Sequence, residues 1–163
     1  MAPADVGQAD VSVGVQAALQ RGDRHGALAL LLEAERAAPG DKALKMQRAM
    51  VCRTLGDLPG SLAALEDALN LDPYDYVDRL STAAIVERML GARAAASDYR
   101  NALAIAPPED ELPAPLRAPT ERGRQVVART MAALEDHLKA RTAAVIAEVS
   151  GAARRRFYES VSI

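Results

Sequence analysis

Side chains able to do acid–base, nucleophilic or metal chemistry are scarce in this chain, and the few present are poorly placed to act together. His25 and His137 are the only histidines, which removes any multi-histidine metal site. Ala27 and Lys139 stand two places after them, so the local spacing of a two-His-one-carboxylate iron site is missing. His25 falls in a turn and is expected in solvent; His137 lies beside an apolar stripe and is expected at its boundary. Cys52 is the single cysteine, so no intrachain disulfide can form. Its apolar helical slot, with no histidine near it in sequence, predicts a buried and inert thiol. The acidic run Glu109-Asp110-Glu111 lacks the alternating oxygens and placed glycine of a calcium loop. Phosphate-cradling glycine loops are missing as well, since Gly22, Gly56 and Gly91 read as turn residues. The expectation is a non-catalytic chain with no metal and no cofactor, whose function lies in its surfaces.

Composition points the same way. Half of the 163 residues are apolar, yet the aromatics are four Tyr and one Phe, with no Trp. A core of Ala, Leu and Val suits closely packed helices. Lys and Arg number 20 against 22 Asp and Glu, a net charge of −2, which gives no reason to expect nucleic acid or an acidic membrane as partner. No unbroken apolar run approaches the length of a membrane span. The start, Met1 to Gly7, lacks the basic and apolar parts of a signal peptide. A cytoplasmic location is therefore expected.

Positioning falls to a repeated unit. Pro39, Pro73 and Pro107 are 34 residues apart twice (73 − 39 = 34; 107 − 73 = 34). Ala34, Ala68 and Ala102 lie five places upstream of them, and Leu31, Leu65 and Tyr99 eight upstream. Gly22-Asp23 and Gly56-Asp57 keep the same register, with Gly91 one place late in the third copy. Such a period, with a small residue, a leucine or aromatic and a proline in register, resembles the tetratricopeptide repeat. The resemblance implies an all-α fold: three helix–turn–helix units over 8–41, 42–75 and 76–107, stacked in a short right-handed solenoid after a disordered 1–7. Lys45 and Arg79 stand where the family carries a bulky aromatic in its first helices.

In that family the first helices line a concave groove. Carried over by register, the groove positions are Ser12, Gln16 and Gln20, then Met46, Met50 and Arg53, then Leu80, Ala84, Glu87 and Arg88. Family members that grip a peptide's terminal carboxylate place Lys, Asn and Arg at such positions. Ser12, Met46 and Leu80 replace that set here, so a mixed Met/Gln/Arg groove for an amphipathic helix or an extended protein segment is expected instead.

Beyond Pro107 the proline-rich, acidic stretch 108–119 reads as an extended linker. Thr120 then caps a long helix over 120–150, with Val127, Met131, Leu134, Leu138, Val145, Ile146 and Val149 along one stripe. That stripe is expected to cap the third repeat; pairing with a second copy, giving a homo-oligomer, and docking on another domain are the alternatives. Gly151 interrupts, and a basic segment, 151–163, opens a further helix. The order of parts, from Ala102-Leu103-Ala104-Ile105-Ala106-Pro107 through the linker to Arg154-Arg155-Arg156-Phe157-Tyr158, also resembles the N-terminal region of bacterial aspartyl/asparaginyl β-hydroxylase-like proteins. That likeness implies an accessory domain for an iron/2-oxoglutarate oxygenase whose catalytic part would begin after Ile163.

Overall fold

The computed structural model describes the backbone of residues 3–161 and the side chains of residues 11–152, 154 and 156; among these residues there is no strand. The helices are α1 (Pro3–Gln20), α2 (Arg24–Ala37), α3 (Lys42–Leu55), α4 (Leu58–Leu71), α5 (Tyr76–Leu90), α6 (Ala92–Leu103) and α7 (Ala114–Val161). The chain divides into two compact units, Met1–Val126 and Val127–Ile163. The first is a helical-repeat solenoid in which each of α1 to α6 packs on the next. The second is the remainder of the long C-terminal helix.

The 34-residue period is written into the turns. Gly22 and Gly56 adopt φ of 77° and 80°, a region that favours glycine. The next residue then caps the following helix: Asp23 accepts from the Gly26 N–H at 2.8 Å, and Asp57 from the Gly60 N–H at 2.9 Å. Gly26 and Gly60 suit this cap, because a Cβ at either would stand 2.1 Å from the capping carboxylate as placed and would push it aside. The third turn is simpler: Gly91, at φ 89°, is itself the N-cap, and no side chain bonds it. Asp41 and Asp75, again 34 apart, cap α3 and α5.

Packing repeats with the same interval. Ala27, Ser61 and Ala95 are buried, as are Leu31, Leu65 and Tyr99 one turn further on. The small residues let neighbouring helices approach, and the larger ones fill the seam beside them. In the second repeat the Ser61 hydroxyl donates to the Ala49 carbonyl of α3 at 2.9 Å, so the polar member of this set is satisfied. Lys45 and Arg79, in the slots expected for aromatics, find polar partners: Lys45 Nζ lies 3.8 Å from Glu35, and Arg79 Nε donates to the Pro73 carbonyl at 2.6 Å.

Ion pairs tie consecutive repeats. Glu35 of α2 faces Arg48 of α3 at 2.8 Å, held by charge because the angle is poor for a hydrogen bond, and Arg48 continues to Asp67 of α4 at 2.5 Å. Lys42 sits among Asp72, Asp75 and Asp78 at 3.0, 2.6 and 3.0 Å. Partial burial works against its charge, but the three carboxylates win and hold the ammonium well above its ordinary pKa. Asp78 is almost fully buried, and desolvation pushes its carboxyl upward despite Lys42. Burial acts on Asp75 too, but bonds from Lys42 and the Asp78 N–H bring it below the usual range.

Several expected boundaries move. The disorder expected for residues 1–7 falls in part on Met1 and Ala2, outside the described residues; from Pro3 the backbone is α1. The 108–119 stretch is not extended. It turns through hydrogen bonds from the Glu111 N–H to the Pro108 carbonyl and from the Leu112 N–H to the Glu109 carbonyl, and it buries Leu112. α7 begins at Ala114 and carries Pro119 inside it. A proline there removes one backbone bond, but Thr120 holds the turn from the next position. Its hydroxyl donates to the Leu116 carbonyl at 2.6 Å and lies 2.5 Å from the Tyr76 hydroxyl. Gly151 does not end the helix, which continues to Val161; a single interior glycine costs only about 1 kcal/mol relative to alanine.

Candidate partner-binding groove

A concavity of about 310 Å³ opens between the second and third repeats. Met46, Gln47, Met50 and Arg53 of α3 form one wall, Ser81 and Ile85 of α5 the other, and Ser61 and Leu65 of α4 the floor. Helical spacing builds it: on α3 the wall residues fall at steps of three and four, and on α5 Ser81, Ile85 and Arg88 do the same. The floor is dry and fixed, with Ser61 and Leu65 buried, whereas Met50 is 43 % exposed at the mouth.

The cations near this site differ in whether they are already paired. Arg48, Lys42 and Lys45 are held in ion pairs, but among the described residues neither Arg53 nor Arg88 has an ionic or hydrogen-bonding partner. Both are exposed. The groove thus offers flexible thioethers, a buried floor and the unengaged guanidinium of Arg53, with that of Arg88 one turn beyond its lining.

The first repeat contributes a shallower surface. Ser12, Val13, Gln16, Ala17 and Gln20 of α1 line another concavity of about 310 Å³. Gln47 Nε2 donates to Ser12 Oγ at 3.5 Å, joining this surface to the α3 wall. A larger hollow, about 760 Å³, lies between the 109–112 turn and the start of α7. Its charged groups neutralise one another, Arg124 standing 3.8 Å from Glu109 and 3.7 Å from Glu121. We therefore place the site in the α3–α5 groove.

Of the residues expected in the groove, Met46, Met50 and Arg53 line it; Arg88 lies outside the lining, one turn beyond Ile85. Gln16 and Gln20 are exposed on α1. Leu80 and Glu87 are corrections. Leu80 is 3 % exposed, part of the core. Glu87 points to the far end of the solenoid, where the Tyr99 hydroxyl donates to it at 2.8 Å and Arg122 Nε at 3.1 Å. Four neighbours on α3 and α5 are gained, Gln47, Ala49, Ser81 and Ile85, each one position away from an expected residue. The sequence held the helical period that selects them, but not the helix rotation that decides between adjacent positions.

The Glu87 cluster caps the last repeat. Gly123 of α7 lies flat on the Tyr99 ring, where a Cβ would stand 2.7 Å from Cδ1, and Thr120 and Val126 are buried beside it in sequence. The Arg122 hydrogen bond, against partial burial, holds the Glu87 carboxyl below its usual range. Burial first, then the Glu87 charge, pushes the Tyr99 phenol well above its ordinary value. The expected cap was the stripe beginning at Val127. The packed residues are instead those of the turn before it, and Met131, Leu134, Leu138, Val145 and Val149 are exposed. Val127 is half-buried.

Among the other chemically versatile groups, His25 and His137 are both exposed. Cys52 is 3 % exposed, and burial, with the Asp57 charge second, raises its pKa, which suppresses the thiolate. Among the described residues no cluster of three His, Cys, Asp or Glu could hold a metal, and no helix is long and apolar enough to cross a membrane.

No protein-family model and no curated protein sequence matches the chain. Solved structures do. The first tetratricopeptide domain of Spaghetti (RPAP3), bound to the HSP90 peptide SRMEEVD, is 16 % identical with a TM-score of 0.58, over 75 % of this chain and 90 % of that one. The Sgt2 tetratricopeptide domain of Aspergillus fumigatus is 18 % identical with a TM-score of 0.56, over 80 % of each chain. PcrH in complex with the chaperone-binding region of PopD is 15 % identical with a TM-score of 0.60, over 81 % of this chain and 95 % of that one. Likeness at this identity is a likeness of fold, and the fold it shows is the tetratricopeptide solenoid.

Proposed function

We propose that this chain is a non-catalytic interaction module that binds a protein or peptide segment in the groove between α3 and α5. The observation that carries the reading is the groove itself: Met46 and Met50 stand over the buried Ser61 and Leu65, with the unengaged Arg53 in the wall and the unengaged Arg88 one turn beyond Ile85. The segment that fits is an amphipathic helix or extended stretch with an apolar anchor for the Met46–Met50–Ile85 surface and a carboxylate for the guanidinium groups. Two of the matched folds are bound to such partners, a peptide and a protein region respectively. The terminal-carboxylate grip is not the mode proposed, since Ser12, Met46 and Leu80 replace its polar set. The alternative reading, an accessory domain of an iron/2-oxoglutarate oxygenase, draws no support from the matched structures described above.

The test pans a random peptide-display library against the full chain and titrates the selected peptides. Arg53→Glu with Arg88→Glu should weaken binding at least tenfold, the range for a charge-assisted pair turned repulsive. The thermal midpoint should stay within about 2 °C, as for surface changes generally. Peptides whose affinity is indifferent both to this pair and to Met50→Asp would place binding elsewhere.

A further inference from the structure

Seven positions of α7 beyond Val126, six of them apolar, follow an eleven-residue rhythm, with the exposed Ile146 standing at their side. Val127, Leu138 and Val149 stand eleven apart (138 − 127 = 11; 149 − 138 = 11). Between them come Met131 and Leu134, then Thr142 and Val145, at steps of four, three and four in each half. Eleven residues over three turns is about 3.67 per turn, close enough to the helical period to keep all these positions on one face. The five large ones from Met131 to Val149 are 45–63 % exposed, so the face is open for its whole length.

The sequence of steps reads the same from either end, with Leu138 at the centre. Val127 then corresponds to Val149, Met131 to Val145 and Leu134 to Thr142. A face with this symmetry matches itself under a two-fold axis that reverses the helix, because each residue meets the one equally far beyond the centre. We propose that the partner of this face is the same face of a second copy of the chain, packed antiparallel about Leu138.

Charge selects that direction. Glu135 and Lys139 flank the stripe on one side, four residues apart, and Arg141 flanks it on the other. In the antiparallel pair the same flanks meet: each Glu135 comes within two residues of helix rise, about 3 Å, of the partner's Lys139, and the two Lys139 come equally near each other, each with the partner's Glu135 on its outer side. In a parallel, in-register pair opposite flanks meet, and each Lys139 faces the partner's Arg141. Lys139 is available to re-aim: its contact with Asp136 is at 4.0 Å, with the two side chains 75 % and 82 % exposed. The pairing is independent of the groove, although a dimer would carry two grooves and bind a bivalent partner with avidity.

Sedimentation equilibrium on the full chain tests it. The expected mass is twice 17.3 kDa, and Leu138→Asp should halve it with the far-ultraviolet circular dichroism of the repeats retained. Direction is read by cross-linking in a Cys52→Ala background, where Met131→Cys and Val145→Cys chains should join each other when mixed while neither joins itself. Lys139→Glu should loosen the dimer at least tenfold, and adding Glu135→Lys should restore it. A single-chain mass at every concentration overturns the proposal. So does self-joining of Met131→Cys, or a tighter dimer from Lys139→Glu.

Discussion

Two adjacent residues at the end of α5 face opposite demands. Its C-terminal turn carries Glu87 into the cap, where Tyr99 and Arg122 engage it, while the same turn sends Arg88 outward with no partner among the described residues. In the cap, polar groups have been spent on structure: Tyr76 is bonded to Thr120, and Tyr99 and Arg122 to Glu87. In the groove, Met50, Arg53 and Arg88 remain uncommitted over a floor that is already closed. Adjacent residues on one helix thus separate stability from recognition, and the difference is visible as partnered against unpartnered charge. Mutations should divide along the same line.

The largest effect is expected at Tyr99, which fills the seam and carries the Glu87 bond. Tyr99→Ala should cost roughly 3–5 kcal/mol in urea unfolding, as for a deeply buried aromatic. Gly123→Ala should follow at about 1–3 kcal/mol, because the new methyl meets the Tyr99 ring; no loss there would remove α7 from the cap. Removing the repeated turn device is smaller: Asp57→Ala should cost about 1 kcal/mol, with no counterpart at Gly91, whose turn has no side-chain cap to lose.

Glu87 makes the cap sensitive to acid. Its carboxyl is held below the unfolded value near 4.3, so its contribution is present above that pH and is lost as pH falls through the folded value. Asp78, held above its ordinary value, works in the opposite sense, which makes the informative comparison one between variants. Wild type should lose more stability than Glu87→Gln on acidification below about pH 5; parallel profiles would show the Arg122 contact to be idle. Smallest of all is the effect of Arg53→Glu with Arg88→Glu on unfolding, expected within about 0.5 kcal/mol. A larger loss would mean the groove cations hold the fold after all.

Much of this fold can be read without coordinates. The 34-residue interval places Asp23 and Asp57 at turns and Leu31, Leu65 and Tyr99 in the seam, because a repeat that cannot bury its own faces must reuse one pattern. Reading fails where a residue's role depends on what lies across from it. Leu80 and Glu87 satisfy the groove register as well as Arg88 does, yet one is core and the other belongs to the cap. Pro119 reads as a helix terminator, since nothing local shows that Tyr76 will meet Thr120 and anchor that turn.

By itself, then, the amino-acid order determined an all-helical stack of repeats with its turns and its apolar seam, because these follow from local capping, backbone freedom and helical period. Tertiary structure alone decided which cations are paired and which are left without a partner among the described residues, and which turn of α7 closes the stack. Those outcomes depend on helix rotation and on partners 35 to 44 residues away, as in Arg122 with Glu87 and Thr120 with Tyr76. No local rule encodes such distances.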